Sequence, residues 1–203
     1  MSVKVKICGV RTVADARACV AAGADFVGLN FHPASPRSLT PEEACTIADA
    51  LPDAVLVGVF VDAPRAAVEA IAARVGLAAL QFHGDETPEY CRGWPWRTIK
   101  ALRADPARNL AGTAPRYATD YILVDSFAPG VTGGSGVPLD PAAAAGLPPE
   151  RLFVAGGLTP DTVAAVVRAL RPFAVDVASG VEHAPGRKDH AKIEAFVRSA
   201  KEA

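Results

Sequence analysis

The sequence predicts a single-domain (β/α)8 barrel, the TIM-barrel fold of the α/β class, over residues 1–203. Eight short runs rich in β-branched and apolar residues recur along the chain, with alanine-rich helical stretches between them. Most runs are nearly continuous in apolar residues, as expected for parallel strands covered on both faces. Strand, loop and helix repeated eight times indicate a closed barrel, and no linker-like stretch divides the chain. An open doubly wound sheet is the alternative, but such sheets usually contain fewer strands.

The eight predicted strands follow one another at regular intervals. They are VKVKIC (3–8), DFVGLNF (25–31), AVLVGVF (54–60), AALQFHG (78–84), WRTIKAL (96–102), YILVDSF (121–127), RLFVAGG (151–157) and FAVDVASG (173–180). The first strand alternates apolar residues with lysines and ends on Cys8, directly before Gly9. This period of two is typical of a strand.

Helices are predicted most clearly over residues 13–22, 41–51, 64–75 and 160–170. Several helix starts combine an N-cap oxygen with proline, whose missing N–H would be unpaired at the first helical position in any case. These starts are Thr40-Pro41, Thr87-Pro88, Asp105-Pro106, Asp140-Pro141 and Thr159-Pro160. Thr40 and Glu43 together complete a capping box. The weakest unit covers residues 103–120, which show little apolar periodicity.

Composition and charge argue against several classes of protein. Lysine plus arginine (21) nearly balance aspartate plus glutamate (22), so no electrostatic footprint for nucleic acid or an acidic membrane is present. No apolar run approaches the roughly 20 residues that span a bilayer, and we expect no signal peptide. The four cysteines lack CxxC or metal-ligand spacing. This pattern predicts reduced thiols in a cytoplasmic protein without a metal site.

The active site of such a barrel forms at the C-terminal ends of its strands. The candidates at those ends are Cys8, Asn30, Asp62, His83, Lys100, Asp125, Gly156, Gly157, Ser179 and Gly180. Three glycine-rich turns follow one another in the last third of the chain, namely GGSG (133–136), AGGL (155–158) and ASGVE (178–182). Glycine lets backbone N–H groups approach an anion, and the loops after strands seven and eight commonly bind phosphate. We therefore predict a phosphate site at Gly134, Gly136, Gly156, Gly157, Ser179 and Gly180.

A series of motifs in this chain resembles a known family. The motifs are KICGVR (6–11), F-x-x-x-S-x-R (31–37), QFHGDE (81–86), ILVDS (122–126), GGSG, AGGL, DVASGVE (176–182) and PGRKD (185–189). In this order they resemble the phosphoribosylanthranilate isomerases of tryptophan biosynthesis, over nearly the whole chain. The resemblance implies an Amadori rearrangement of N-(5-phosphoribosyl)anthranilate to 1-(2-carboxyphenylamino)-1-deoxyribulose 5-phosphate, without a metal or organic cofactor. It leaves a monomer and a homodimer both open.

The resemblance also implies roles for individual residues. It makes Cys8 the general base and Asp125 the general acid, and it directs Arg37 to the anthranilate. Gln81, His83 and Asp176 are implied to contact substrate. A position at a strand end before glycine favours a reactive Cys8 over a buried core thiol, and we expect its surroundings to favour the thiolate.

Structural roles are the alternatives for the other residues. Asp125 could cap the following loop, and Arg37 could be a solvated loop residue. His83 could be a hydrogen-bonded structural histidine, and Asp176 could serve the strand in which it lies.

Three rival functions are also open to the sequence. Barrel isomerases of histidine biosynthesis place an aspartate at the end of strand one, where this chain has Cys8. Indole-glycerol-phosphate synthase would bring a lysine and glutamate set that is not evident. A non-catalytic sugar-phosphate-binding barrel would have no need of Cys8 and Asp125 together.

Overall fold

The computed structural model describes residues 2–105, 109–126 and 139–203. Eight parallel strands form a closed barrel in sequence order, and the last strand pairs with the first. The strands are β1 Lys4–Cys8, β2 Phe26–Asn30, β3 Leu56–Phe60, β4 Ala79–Phe82, β5 Arg97–Arg103, β6 Tyr121–Asp125, β7 Leu152–Val154 and β8 Ala174–Val177. The predicted (β/α)8 barrel is confirmed.

The described helices differ in length around the barrel. They are α1 Val13–Ala21, α2 Pro41–Ala50, α3 Arg65–Val75, α4 Leu110–Thr113, α5 Val163–Leu170 and α6 His190–Lys201. In the described part of the chain, 3-10 helices cover Ala114–Arg116, Pro141–Ala144, Pro149–Arg151 and Ser179–Val181. The predicted capping box is confirmed, since Thr40 Oγ1 accepts from the Glu43 N–H (3.2 Å) and Glu43 Oε2 accepts from the Thr40 N–H (2.8 Å).

Two predicted helix starts are wrong. Residues 88–91 form a turn and residues 92–93 a bend, and the side chains of Tyr90 and Trp94 pack on Phe82 with ring centroids 5.3 and 5.2 Å away. This aromatic cluster covers the barrel wall where a helix was expected. Helix α5 begins at Val163 and not at residue 160; residues 160–162 form a turn, in which Thr162 Oγ1 accepts from the backbone N–H of Thr159 (3.0 Å).

The remaining proline starts have mixed outcomes. Asp140-Pro141 begins a 3-10 helix, in which Asp140 Oδ1 accepts from the Ala142 N–H at 2.9 Å. Pro106 lies outside the described residues, and α4 begins instead after Asn109, whose side chain accepts from the Gly112 N–H. The described residues of this weakest unit therefore contain the short helix α4 and the 3-10 helix Ala114–Arg116.

Side chains of the barrel strands separate into two layers. Those on one face form a core with the surrounding helices, which includes Val5 and Ile7 of β1. Those on the other face fill the barrel with a cluster of Val57, Ala79, Ile99, Ala101, Leu123, Phe153, Ala155 and Ala174. Because successive side chains of a strand point to opposite faces, Lys6 and Cys8 of β1 point into the barrel.

A small antiparallel hairpin follows β8 and lies beside the barrel mouth. Its strands are β9 Glu182–Ala184 and β10 Arg187–Lys188. The hairpin brings Glu182 and Lys188 into the interior, where both are nearly inaccessible to solvent. Among the helices of the described residues, none is long and apolar enough to cross a membrane.

Candidate active site

A cavity of about 550 Å³ lies at the C-terminal ends of the barrel strands. The described residues with a predicted catalytic or binding role line it, namely Cys8, Arg37, Gln81, His83, Asp125, Gly156, Gly157, Asp176, Ser179 and Gly180. Asn30, at the end of β2, also lines the cavity. Gly134 and Gly136 lie outside the described residues.

Two strand-end candidates belong elsewhere. Strand β5 continues to Arg103, so Lys100 is a mid-strand residue, and its Nζ pairs with Glu86 Oε2 at 2.6 Å behind the barrel wall. Asp62 accepts a hydrogen bond from the Asp85 N–H at 2.7 Å and joins two loops. Neither residue is among those that line the cavity.

Cys8 occupies the floor of the cavity beside two buried charges. Lys6 on the same strand is fully buried, and its Nζ donates to Asp176 Oδ1 on β8 at 2.9 Å. Burial raises the pKa of the Cys8 thiol, while Lys6 acts in the opposite direction. The expectation that the surroundings favour the thiolate is therefore not met in the free protein, because desolvation outweighs the ammonium group.

Asp125 lies at the end of β6 with an imidazole beside it. His83 Nε2 is 3.3 Å from Asp125 Oδ2, a contact without hydrogen-bond alignment, and the described residues offer Nε2 no other partner. The other ring nitrogen of His83, Nδ1, lies 2.9 Å from Gln81 Nε2. If the Gln81 amide donates there, the proton of a neutral His83 sits on Nε2 and faces Asp125.

Arg37 reaches the mouth from the loop after β2 and is held by the hairpin. Its Nε and one terminal nitrogen donate to the two carboxylate oxygens of Glu182, at 2.8 and 2.7 Å. Glu182 also accepts from Lys188 Nζ at 3.0 Å. Hydrogen bonding to Glu182 raises the pKa of Arg37, so a permanent cation is fixed at one side of the cavity.

The glycines after β7 and β8 are required by their surroundings. Gly156 and Gly157 have φ values of 92° and 61°, which are left-handed conformations that favour glycine. A side chain at position 156 would lie 2.5 Å from the Ser126 backbone nitrogen, and one at position 180 would collide with the Leu158 carbonyl. The Gly157 N–H has no backbone acceptor among the described residues.

Sequence reasoning missed two residues of this region. Lys6 lies two positions before Cys8 and shares its strand face, so strand periodicity alone could have placed it inside the barrel. Glu182 stands at the end of the DVASGVE motif, but its pairing with Arg37 joins residues 145 positions apart and has no local signal.

These features define the protein as a (β/α)8 barrel whose mouth combines a thiol, a carboxyl group and a glycine-lined end. A sequence profile described as N-(5'phosphoribosyl)anthranilate (PRA) isomerase matches residues 5–199, and the chain belongs to this family.

Individual relatives are similar to this chain over nearly its whole length. The N-(5'-phosphoribosyl)anthranilate isomerase of Pelobacter propionicus is 44% identical over 98% of this chain and 96% of its own length. The crystal structure of the Thermotoga maritima phosphoribosyl anthranilate isomerase has a TM-score of 0.87, 36% identity and coverage of 99% of this chain and 100% of its own. A related isomerase structure holds reduced 1-(o-carboxyphenylamino)-1-deoxyribulose 5-phosphate, with a TM-score of 0.83, 36% identity, and coverage of 99% of this chain and 100% of its own.

Proposed function

We propose that this chain isomerises N-(5-phosphoribosyl)anthranilate to 1-(2-carboxyphenylamino)-1-deoxyribulose 5-phosphate, a step of tryptophan biosynthesis, by general acid–base catalysis. The observation that carries the proposal is that Cys8 at the end of β1 and Asp125 at the end of β6 line one cavity. Family membership over residues 5–199 supports the same activity. A barrel that only binds a sugar phosphate would not need both groups.

The two groups move protons in opposite directions. Asp125 gives its proton to the furanose ring oxygen, so that the C1′–O bond breaks and a protonated Schiff base forms. The Cys8 thiolate then removes the proton from C2′, and the electron pair of that C–H bond forms the enolamine. The enolamine tautomerises to the ketone, and Cys8 and Asp125 exchange protons with solvent to return to their starting states.

The remaining residues bind the two ends of the substrate. The planar Arg37 guanidinium suits the anthranilate carboxylate, because it can donate two parallel hydrogen bonds. Gly156, Gly157, Ser179 and Gly180 provide backbone N–H groups for the phosphate, and Gly134 and Gly136 complete this prediction. In addition, Asp176 accepts from sugar hydroxyls.

Two further side chains, an amide and an imidazole, complete the substrate contacts. Gln81 and His83 form the wall beside Asp125, and they are linked to each other at 2.9 Å. They are expected to contact the sugar ring and to exclude water around the acid.

An activity assay tests the proposal directly. Freshly made phosphoribosylanthranilate is mixed with purified protein, and the change in fluorescence is followed, since substrate and product differ optically. A parallel reaction receives the aldose substrate of the histidine-pathway isomerase. We expect turnover of the first substrate only. Absence of turnover with correctly folded protein would contradict the proposal.

Assembly and compartment are part of the same proposal. We expect a monomer or a homodimer, and light scattering after size-exclusion chromatography distinguishes them; a related Thermotoga maritima isomerase is described as dimeric. We place the reaction in the cytoplasm. Four cysteines without disulfide-type spacing support this location, and fractionation of the source cells tests it.

A further inference from the structure

Lys6 is a buried cation that the proposed reaction has not yet used. Its residue exposure is 0%, so its charge must be compensated inside the barrel. Its partner across the sheet is Asp176, because the two residues stand opposite each other in the register of β1 and β8. The Nζ–Oδ1 hydrogen bond of 2.9 Å uses one of its three N–H donors.

The second neighbour of the Lys6 ammonium group is the Cys8 sulfur. A β-carbon built on Gly28 of β2 would lie 3.0 Å from Cys8 Sγ and 3.1 Å from Lys6 Nζ. Both atoms therefore border the same small space, and they are no further apart than the sum of these distances. Gly28 stands opposite Cys8 in the register of β1 and β2, and its missing side chain leaves room for the ammonium group beside the sulfur.

The charges around Cys8 come from four elements. Lys6 on β1 and Lys188 on β10 lower the pKa of the thiol, Asp176 on β8 raises it, and burial raises it most. Arg37, on the loop after β2, also interacts with Cys8. Burial alone would lower the pKa of Lys6, but Asp176 and Cys8 outweigh it and raise that pKa. Asp176 and Cys8 therefore both favour the charged form of Lys6.

We propose that Lys6 is a positioning residue that holds the Asp176 carboxylate and the Cys8 sulfur on one ammonium group and supplies the positive charge against which the Cys8 thiol ionises. The proposal rests on the general-base role of Cys8. In the reaction, an S–H bond forms as the C2′–H bond breaks, and Lys6 keeps all its protons. Its charge stabilises the thiolate that must be present before that step.

The test is a thiol titration without substrate. Thiolate absorbance in the ultraviolet is recorded against pH for each variant and for its Cys8→Ala counterpart, and the difference isolates Cys8 from the other cysteines and the tyrosines. The variants are Lys6→Met and Asp176→Asn. Lys4→Met is the matched control, because Lys4 lies on the same strand but pairs with Asp25 at the surface.

The two variants should move the Cys8 titration in opposite directions. Lys6→Met should raise its midpoint by about one pH unit or more, because an opposite charge within a few ångströms has been removed. Asp176→Asn should lower the midpoint, since a competing carboxylate has been removed, and Lys4→Met should leave it unchanged. If Lys6 had only a structural role, Lys6→Met and Asp176→Asn would not shift the Cys8 midpoint in opposite directions. An unchanged midpoint in folded Lys6→Met, or shifts of the same sign, would overturn the proposal.

The double variant Lys6→Met/Asp176→Asn keeps the test decisive if Lys6→Met does not fold. It leaves no unpaired buried charge from this pair, and its midpoint must exceed that of Asp176→Asn alone. Equal midpoints would also refute the role of Lys6. Failure of the isomerase activity would appear separately, as absence of turnover in the wild-type protein, and would leave the titration result intact.

Discussion

The two sides of the barrel mouth differ in charge. Around Cys8, the side formed by β1, β8 and β10 carries the buried cations Lys6 and Lys188 and their carboxylate partners. Around Asp125, the side formed by β4 and β6 presents an amide and an imidazole, and no ammonium or guanidinium group of the described residues pairs with it. Cys8 and Asp125, the two groups proposed for proton transfer, therefore have different electrostatic surroundings within one cavity.

This difference in charge shows how one barrel can place a proton acceptor and a proton donor in the same cavity. A buried group that must accept a proton needs nearby positive charge to reach its ionised form, since desolvation opposes that form. A group that must donate a proton has no use for such a charge. The buried lysines on one side, and the amide and imidazole on the other, match the roles proposed for Cys8 and Asp125.

The largest expected effect follows from removing either proton-transfer group. Cys8→Ala and Asp125→Asn should each lower kcat by about 10²–10⁴-fold, because general acid–base catalysis contributes that much, while KM stays near the wild-type value. Steady-state kinetics with phosphoribosylanthranilate measures both constants. Near-normal turnover in both variants would contradict the assignment of the pair.

Matched controls exist for both changes. Cys19 is another buried thiol, but it packs between the barrel and its helices, so Cys19→Ala should keep nearly full kcat. Asp62 is another carboxylate after a strand, but it does not line the cavity, so Asp62→Asn should behave in the same way.

The next effect concerns the cation at the mouth. Arg37→Met should raise KM by about 10–100-fold, because a hydrogen bond to a charged group contributes roughly 1.5–3 kcal/mol and every 1.4 kcal/mol is about tenfold. The effect on kcat should be smaller.

A substrate analogue without the anthranilate carboxylate should bind Arg37→Met and the wild-type protein with equal affinity. A difference in affinity for this analogue would show that Arg37 contacts another part of the substrate.

A smaller effect is expected at the phosphate end. Gly157→Ala should raise KM by roughly tenfold and more than it lowers kcat, because a side chain in a left-handed conformation strains the turn and blocks the anion. Gly76→Ala is the control, since Gly76 has a φ of 73° and open space around it but lies at the end of α3. Both variants should lose stability, and only Gly157→Ala should bind substrate poorly. An equal KM in the two variants would place the phosphate elsewhere.

The Arg37–Glu182 pair should affect stability in acid. Burial raises the pKa of Glu182, but Arg37 and Lys188 outweigh it, so the pKa lies below its usual value of 4.5. The resulting stabilisation is present above the unfolded value and is lost as pH falls through the folded value. Thermal unfolding should therefore show the wild-type Tm falling towards that of Glu182→Gln below about pH 4.5. If the Tm difference between the wild-type protein and Glu182→Gln stayed constant as the pH fell, ionised Glu182 would not stabilise the fold through Arg37.

The smallest expected effect is that of metal removal. Exhaustive chelation should leave kcat and KM unchanged, because the two proposed proton transfers need only Cys8 and Asp125. The assay is repeated after dialysis against a chelator and again with divalent ions restored. Loss of activity that one ion restores would replace the proposed acid–base mechanism with a metal-assisted one.

Local chemistry explains which parts of the fold could be predicted. The strands, the closed barrel and the Thr40–Glu43 capping box follow from short-range periodicity and N-cap chemistry. The helix expected after Thr87 does not form. Tyr90 and Trp94 cover the barrel wall there by packing on Phe82, and this tertiary contact overrides the local N-cap signal. Helix α5 begins at Val163 and not at residue 160, a difference that the local N-cap chemistry did not indicate.

The sequence by itself determined the residue types at the strand ends, and with them the fold class, the family and a site around Cys8 and Asp125. Only the tertiary structure decided the charges that surround these groups. Lys6 meets Asp176 across 170 positions of the chain, and Arg37 meets Glu182 across 145. Such pairs form when barrel closure brings distant strands and a hairpin together in a low-dielectric interior, where each buried charge requires a partner. No local pattern in the chain records which partner that will be.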